Sequence, residues 1–235
     1  MNAPVRRLIK PTTPRTVHLL NIRSLASPVQ AEASTEADFV RLAALCPTVR
    51  QVVAQPCTLQ LSSGQYTPDF LIEFHSSETS YWEIKLASRF DQYRPLFNEA
   101  AQQLGKQGLR FYAVSNVSLR KHDRHRFAAL LQRYERDQPS AAGIERVLDR
   151  IRSEPLGLPI RALVELASVP CELIYHLLAR RQLTFKNRVS PDDLITLPNL
   201  LEKSDDVLLA SWLDVSPWRA DAGIGPGAAR WKTCP

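Results

Sequence analysis

The chain predicts an α/β fold with a mixed sheet, followed by a small α+β domain. Three observations carry that prediction. Apolar residues alternate along residues 66–74 and 79–85, which reads as two β-strands with a polar turn (His75–Ser80) between them. A helical stretch over Asp91–Gln107, with Leu96, Ala100 and Leu104 at helical spacing, is followed by an apolar run, Leu109–Val114; strand, helix, strand is a parallel crossover. Beyond Gln138–Gly143, read as a linker, the pattern changes to three short helices and two short strands.

The first element expected is a helix beginning near residue 34. Ser34 or Thr35 is placed to cap it, Phe39, Leu42, Ala43 and Leu45 form its apolar stripe, and Pro47 ends it. Val49, Val52 and Val53 then lead towards a strand at Thr58–Leu61. In the hairpin, Phe70, Ile72 and Phe74 share the face to be buried, opposite Asp69, Leu71 and Glu73. A helix over roughly 122–136, carrying Phe127, Leu130, Leu131 and Tyr134, closes the first domain. The second domain comprises helices around Ile144–Ile151, Pro159–Ala167 and Pro170–Arg181, then strands at Gln182–Lys186 and Asp193–Leu197. The expected divisions are 1–137, 138–200 and a tail, 201–235.

The residues with chemical content lie in the hairpin. Pro68-Asp69 opens one strand and Glu83-Ile84-Lys85 ends the next, with thirteen residues between Asp69 and Glu83. Glu83 and Lys85 point the same way because side chains alternate faces along a strand. Antiparallel pairing can bring Asp69 level with them. Two carboxylates and an ammonium at one sheet end suit a hard divalent cation, and with it hydrolysis of a phosphodiester. Asp69 and Glu83 are oxygen ligands, the Ile84 carbonyl is a further oxygen, and Lys85 is placed to orient water or stabilise developing charge. Magnesium is the expected ion, with manganese equally compatible with oxygen ligands. An ordinary amphipathic hairpin with cross-strand charge pairs is the plainer explanation of Glu83 and Lys85 taken alone.

This constellation resembles the PD-(D/E)xK nucleases, which have a restriction-endonuclease-like core. The order of helix, then Val-Val-Ala-Gln-Pro, then the Pro-Asp-Phe and Glu-Ile-Lys strands looks like the TnsA-like endonucleases of heteromeric bacterial transposons. The resemblance covers roughly residues 15–116. It implies that Glu36, on the first helix, completes the metal site and that Gln55-Pro56 is the family's Gln-Pro turn. Asp38 lies about 200° from Glu36 around a helix, so only one of them faces the site; Glu32 is a second rival acid. The resemblance also implies double-stranded DNA at transposon ends as substrate, a strand-transfer transposase subunit and an ATPase regulator as partners, and a bacterial cytoplasmic setting. Alternatives with the same residues are a restriction- or repair-type endonuclease and a non-catalytic DNA-binding adaptor.

The 235-residue chain carries a net charge of +6, concentrated in two zones. Residues 1–31 hold five basic residues and no acid, and residues 106–136 hold eight basic residues against two acids, a pattern suited to a polyanion. No apolar run approaches the ~20 residues needed to span a membrane. Cys46, Cys57, Cys171 and Cys234 show no zinc-type spacing and fit a reducing compartment. No phosphate-binding loop is present, so the chain itself is not expected to hydrolyse nucleotides. The second domain resembles a winged helix-turn-helix, whose third helix carries Glu172, His176, Arg180 and Arg181, a set better suited to protein or duplex-backbone contact than to base reading. Trp212, Trp218 and Trp231 in the Gly/Pro-rich tail are candidates to dock a partner, the alternative being a tail that folds back on its own domain.

Overall fold

A computed structural model of the protein describes residues 17–199 and 205–220. Its centre is a mixed four-stranded sheet in the order β3 (Val49–Ala54), β6 (Phe70–Phe74), β7 (Thr79–Lys85), β8 (Arg110–Ser115). The first two pairings are antiparallel and the last, β7 with β8, is parallel. The parallel pair is joined by α2 (Phe90–Gly105), the crossover that the 91–107 periodicity predicts.

Both faces of this sheet are covered. Phe70, Ile72, Phe74, Trp82, Ile84, Tyr112 and Val114 pack towards α1 (Ser34–Leu45) and α4 (Arg124–Arg133). Phe111 and Ala113 point the other way, against Phe97, Ala100 and Leu104 of α2 and the two-stranded hairpin β4 (Leu59–Leu61) and β5 (Gly64–Tyr66). Leu71, on the Asp69 face, is consequently as buried as its neighbours. The valines at 49–53 prove to be the sheet's edge strand, whereas the expected strand at 58–61 belongs to the β4–β5 hairpin outside the sheet. Local apolar content cannot distinguish those two outcomes, because both bury one face.

The helix start differs in detail from expectation. Neither Ser34 nor Thr35 caps α1; the cap position is Ala33, and no side chain bonds to it. The Glu36 carboxylate instead accepts the Glu32 N–H at 2.7 Å, reaching back as the acid of a capping box does. Before α1, a short hairpin of β1 (His18–Leu20) and β2 (Val29–Ala31), absent from the sequence reading, packs on the same helix.

Residues 141–196 form three helices, α5 (Ala141–Arg152), α6 (Ile160–Ala167) and α7 (Cys171–Ala179), with an antiparallel three-stranded sheet in the order β10 (Thr184–Phe185), β11 (Leu194–Thr196), β9 (Leu158–Pro159). β9 escaped the sequence reading because two residues carry no periodicity. Ser140 caps α5 by accepting the Gly143 N–H at 3.2 Å, so the helix already begins inside the stretch read as linker. Gly143 lies against α7: a Cβ there would lie 2.7 Å from Leu173 Cδ1.

The hydrophobic core does not stop between these parts. One cluster of buried residues runs from Leu20 to Leu213. Phe127 of α4 meets Tyr175 and Phe185 at ring-centroid distances of 5.8 and 5.9 Å. Arg181, in a left-handed conformation after α7, donates from Nε to the Ala44 carbonyl at 2.6 Å and from its Nη1 to the Val49 carbonyl, both beyond the end of α1's hydrogen-bond ladder. Burial pulls its pKa down to about 10, the Cys46 and Glu135 side chains opposing the shift.

The last described element, α8 (Asp205–Leu213), returns to this core. Trp212 is 1 % exposed and stands edge-on to Phe185 at 5.9 Å. Trp218 donates from Nε1 to Asn98 Oδ1 at 2.8 Å and packs edge-on to Phe97 at 5.2 Å. Two of the three tryptophans considered for docking a partner are therefore occupied by the chain itself, Trp212 in the core beside α4 and β10 and Trp218 against the separate core beside α2. Trp231 lies outside the described residues, as do Arg6, Arg7, Lys10 and Arg15 of the first basic zone. Among the described residues, Cys46, Cys57 and Cys171 are free thiols.

Candidate active site

Hairpin register brings the acidic residues together. The last β6–β7 pair is Phe70 with Trp82, and one further step along the same register sets Asp69 opposite Glu83. The two strands diverge there, and side chains replace the backbone ladder. The Asp69 N–H donates to Glu83 Oε2 at 3.1 Å, and the Ile84 N–H donates to Asp69 Oδ2 at 2.8 Å. Gln55 closes the other side, its N–H donating to the Asp69 carbonyl at 2.8 Å from a left-handed backbone conformation (φ 46°) that turns the chain out of the sheet ahead of Pro56. Gln55 Oε1 is buried without a hydrogen-bond partner.

Lys85 completes the cluster. Its Nζ pairs with Glu83 Oε1 and lies 3.8 Å from Asp69 Oδ2. Glu83 is 1 % exposed, so this ion pair is largely removed from water, whereas Lys85 keeps 24 % of its side chain accessible and forms the mouth. Tyr66, at the end of β5, donates its hydroxyl to Glu83 Oε2 at 2.8 Å. Oε2 thus has two protein donors and Oε1 one, leaving the free lone pair on the Oε1 side. The N–H and carbonyl of one strand residue face the same neighbour, so the Ile84 carbonyl lies on the Asp69 side of β7.

Glu36 reaches the same mouth from α1. Burial, then the nearby charge of Asp69, lifts its carboxyl to about 7, against the Glu32 N–H that it accepts. Asp69 is likewise lifted to about 7, by burial first and by Glu83 second. Burial also raises Glu83, against the pull of Lys85. For Lys85, burial acts downward but Asp69 and Glu83 outweigh it, and the ammonium is held above its ordinary value. Burial and then Glu83 push the Tyr66 phenol well above its usual range, so it stays a donor. Asp38, the rival acid, faces elsewhere and pairs with Arg120 at 2.9 Å and Arg41 at 3.3 Å. Glu32 sits at the mouth through its backbone bond to Glu36 and its charge.

The site is an excess of desolvated negative charge around one ammonium, and its donors are all oxygen. That fits a hard dication better than it fits zinc, which favours nitrogen and sulfur. Among the described residues, no group of three or more His, Cys, Asp or Glu side chains is gathered tightly enough to hold a metal alone.

The raised carboxyls set a pH dependence. Glu36 and Asp69, with ordinary values of 4.5 and 3.8, both move to about 7, so the folded protein binds more protons than the unfolded chain across that window. Stability of the metal-free protein is therefore full below about pH 4 for these groups and falls as pH rises towards 7. Magnesium should raise the melting temperature more at about pH 8 than at about pH 5, because only the ionised pair attracts it. Melting curves in chelator and in magnesium across this range check both points; a flat difference would show that no dication uses these carboxylates.

Elsewhere, five of the eight basic residues at 106–136 pair with acids in the fold. Arg110 pairs with Asp206, Arg120 with Asp38, Lys121 and Arg124 with Asp214, and Arg126 with Asp123. Lys106, Arg133 and Arg136 are exposed. On α7, Leu173, Ile174, Leu177 and Leu178 are buried, and His176 Nδ1 lies 2.9 Å from the Tyr134 carbonyl. That helix is committed to packing. No described helix is long and apolar enough to cross a membrane.

No model of a known protein family matches the chain, and no curated protein matches it.

Proposed function

We propose that the protein is a metal-dependent DNA endonuclease serving as the cleavage subunit of a heteromeric transposase, built on a restriction-endonuclease-like core with a winged-helix-like unit attached. The observation that carries this reading is the register that sets Asp69 opposite Glu83 at the open end of a mixed sheet, with Lys85 between them and solvent. The helical acid Glu36, electrostatically coupled to Asp69, supports the same reading. Asp69, Glu36, the Ile84 carbonyl and Oε1 of Glu83 are the groups that would hold a magnesium or manganese ion. When bound, such an ion neutralises phosphate charge and makes a ligated water acidic. The chain's own contribution is to desolvate the acids, to fix Asp69 through the Ile84 and Gln55 N–H groups, and to keep Lys85 cationic. Lys85 is then placed to orient the attacking water and to stabilise charge that develops on the phosphate.

The burial of α7 supports dependence on partners. Within α7 only Cys171, Glu172 and Tyr175 stay outside the core, and none of them is basic, so the helix offers little to a major groove and base-specific reading is expected from another protein. The strand-transfer transposase and ATPase regulator come from the family resemblance, and double-stranded DNA at transposon ends is the corresponding substrate.

The test is cleavage of duplex DNA by the purified chain with magnesium or manganese, alone and with a strand-transfer transposase found encoded beside it. The isolated chain should bind DNA weakly, salt-sensitively and without sequence preference. Cutting at defined ends should require both metal and transposase. Absence of cleavage in both metals with the transposase present would refute the reading; site-specific cutting by the chain alone would assign a restriction-type enzyme.

A further inference from the structure

We propose that Tyr66 is a positioning residue for the endonuclease site: its hydroxyl, together with the Asp69 N–H, occupies Oε2 of Glu83 and so reserves Oε1 for Lys85 and for any bound cation. The inference rests on the endonuclease reading for its catalytic consequence, but not for its geometry.

The argument starts from Glu83. A carboxylate 1 % exposed has no water to satisfy it, so its orientation is set by whichever protein donors surround it. Three are present. The Asp69 N–H at 3.1 Å and the Tyr66 hydroxyl at 2.8 Å both meet Oε2, and Lys85 meets Oε1. The backbone donor alone leaves the carboxylate free to rotate about its terminal torsion, which is broad for a glutamate. The phenol removes that freedom, because Tyr66 cannot move: it is 8 % exposed and packs edge-on to Phe111 at 6.5 Å. The β4–β5 hairpin, otherwise a cover for one side of the sheet, thereby carries one functional side chain into the site. Without the hydroxyl, the Asp69 N–H alone holds Oε2, so the carboxylate can turn, the Lys85 ammonium meets either oxygen, and the two oxygens exchange roles.

Tyr66→Phe isolates this effect, since the ring and its packing stay and only the hydroxyl goes. The first readout is the Lys85 Cε methylene by NMR in metal-free protein without DNA. An ammonium held in one geometry gives two resolved proton signals, and a freely rotating one gives an averaged signal. The wild-type protein should show the resolved pair and Tyr66→Phe the averaged signal. The second readout is cleavage: kcat of Tyr66→Phe should fall roughly ten- to a hundredfold, the loss typical of a hydrogen bond to a charged group, with KM for DNA nearly unchanged. An averaged Lys85 signal in the wild-type protein, a resolved pair in Tyr66→Phe, or a kcat within about twofold of wild type would each overturn the proposal. If the wild-type chain cuts no DNA at all, the endonuclease reading fails, while the Lys85 spectra still decide the role of Tyr66.

Discussion

Asp69→Asn should reduce DNA cleavage by at least about a hundredfold, the scale of losing one preorganised electrostatic group from an active site. The substitution is close to isosteric and leaves an oxygen to accept the Ile84 N–H, which Asp69 Oδ2 now accepts at 2.8 Å. The turn at the end of β6 therefore has no reason to unfold. What is lost is charge. Lys85 loses one of two carboxylates that hold it cationic, and a dication loses a ligand. A second consequence is measurable without substrate. Part of the elevation of Glu36 to about 7 comes from Asp69, while the larger part comes from burial, so its titration should move down in Asp69→Asn without returning to 4.5. Stability above neutral pH should rise or hold, because a repulsive pair has been removed. Cleavage by Asp69→Asn at the wild-type rate would end the assignment of this site.

Trp212→Ala should cost about 3–5 kcal/mol of stability, the range for truncating a buried large aromatic. The side chain is 1 % exposed against Phe185, and the Trp212 carbonyl accepts from the buried Arg124 guanidinium. The helix bearing it is tied down at its start as well, where Asp206 accepts the Tyr112 hydroxyl at 2.8 Å and pairs with Arg110. Loss of Trp212 opens a cavity at the junction of α4, β10 and α8, so the unfolding midpoint in denaturant should fall with little change in slope. A change below about 1 kcal/mol would mean that this segment is attached loosely and free to serve a partner instead. Trp218 is only half-buried, and its replacement should cost less.

These two sites mark where the sequence was legible and where it was not. The hairpin is a local object. Strand alternation alone places Glu83 and Lys85 on one face, and a short polar turn restricts the register enough to bring Asp69 alongside. The crossover through α2 and the helix at 34–45 also follow from periodicity within a single window. Glu36 could be nominated only through the family resemblance, since a helix-start acid is as often a cap, and here Glu36 is both: it bonds the Glu32 N–H and faces Asp69. Tyr66 gave no signal beyond standing three residues before Asp69, because its role depends on which way the β4–β5 hairpin folds over the sheet.

The sequence by itself thus determined the longer helices, the central hairpin and the side chains that share a strand face, because these are set by neighbours within a few residues. Tertiary structure decided everything that depends on partners far along the chain. Arg120 meets Asp38 across 82 positions, Tyr112 meets Asp206 across 94, and Arg181 meets Ala44 across 137. Those contacts turn part of a basic stretch into ion pairs, a candidate contact helix into core, and residues 205–220 into a clasp. Charge and apolar content can be counted in a sequence, but burial and pairing are properties of what packs opposite, and no local pattern encodes that.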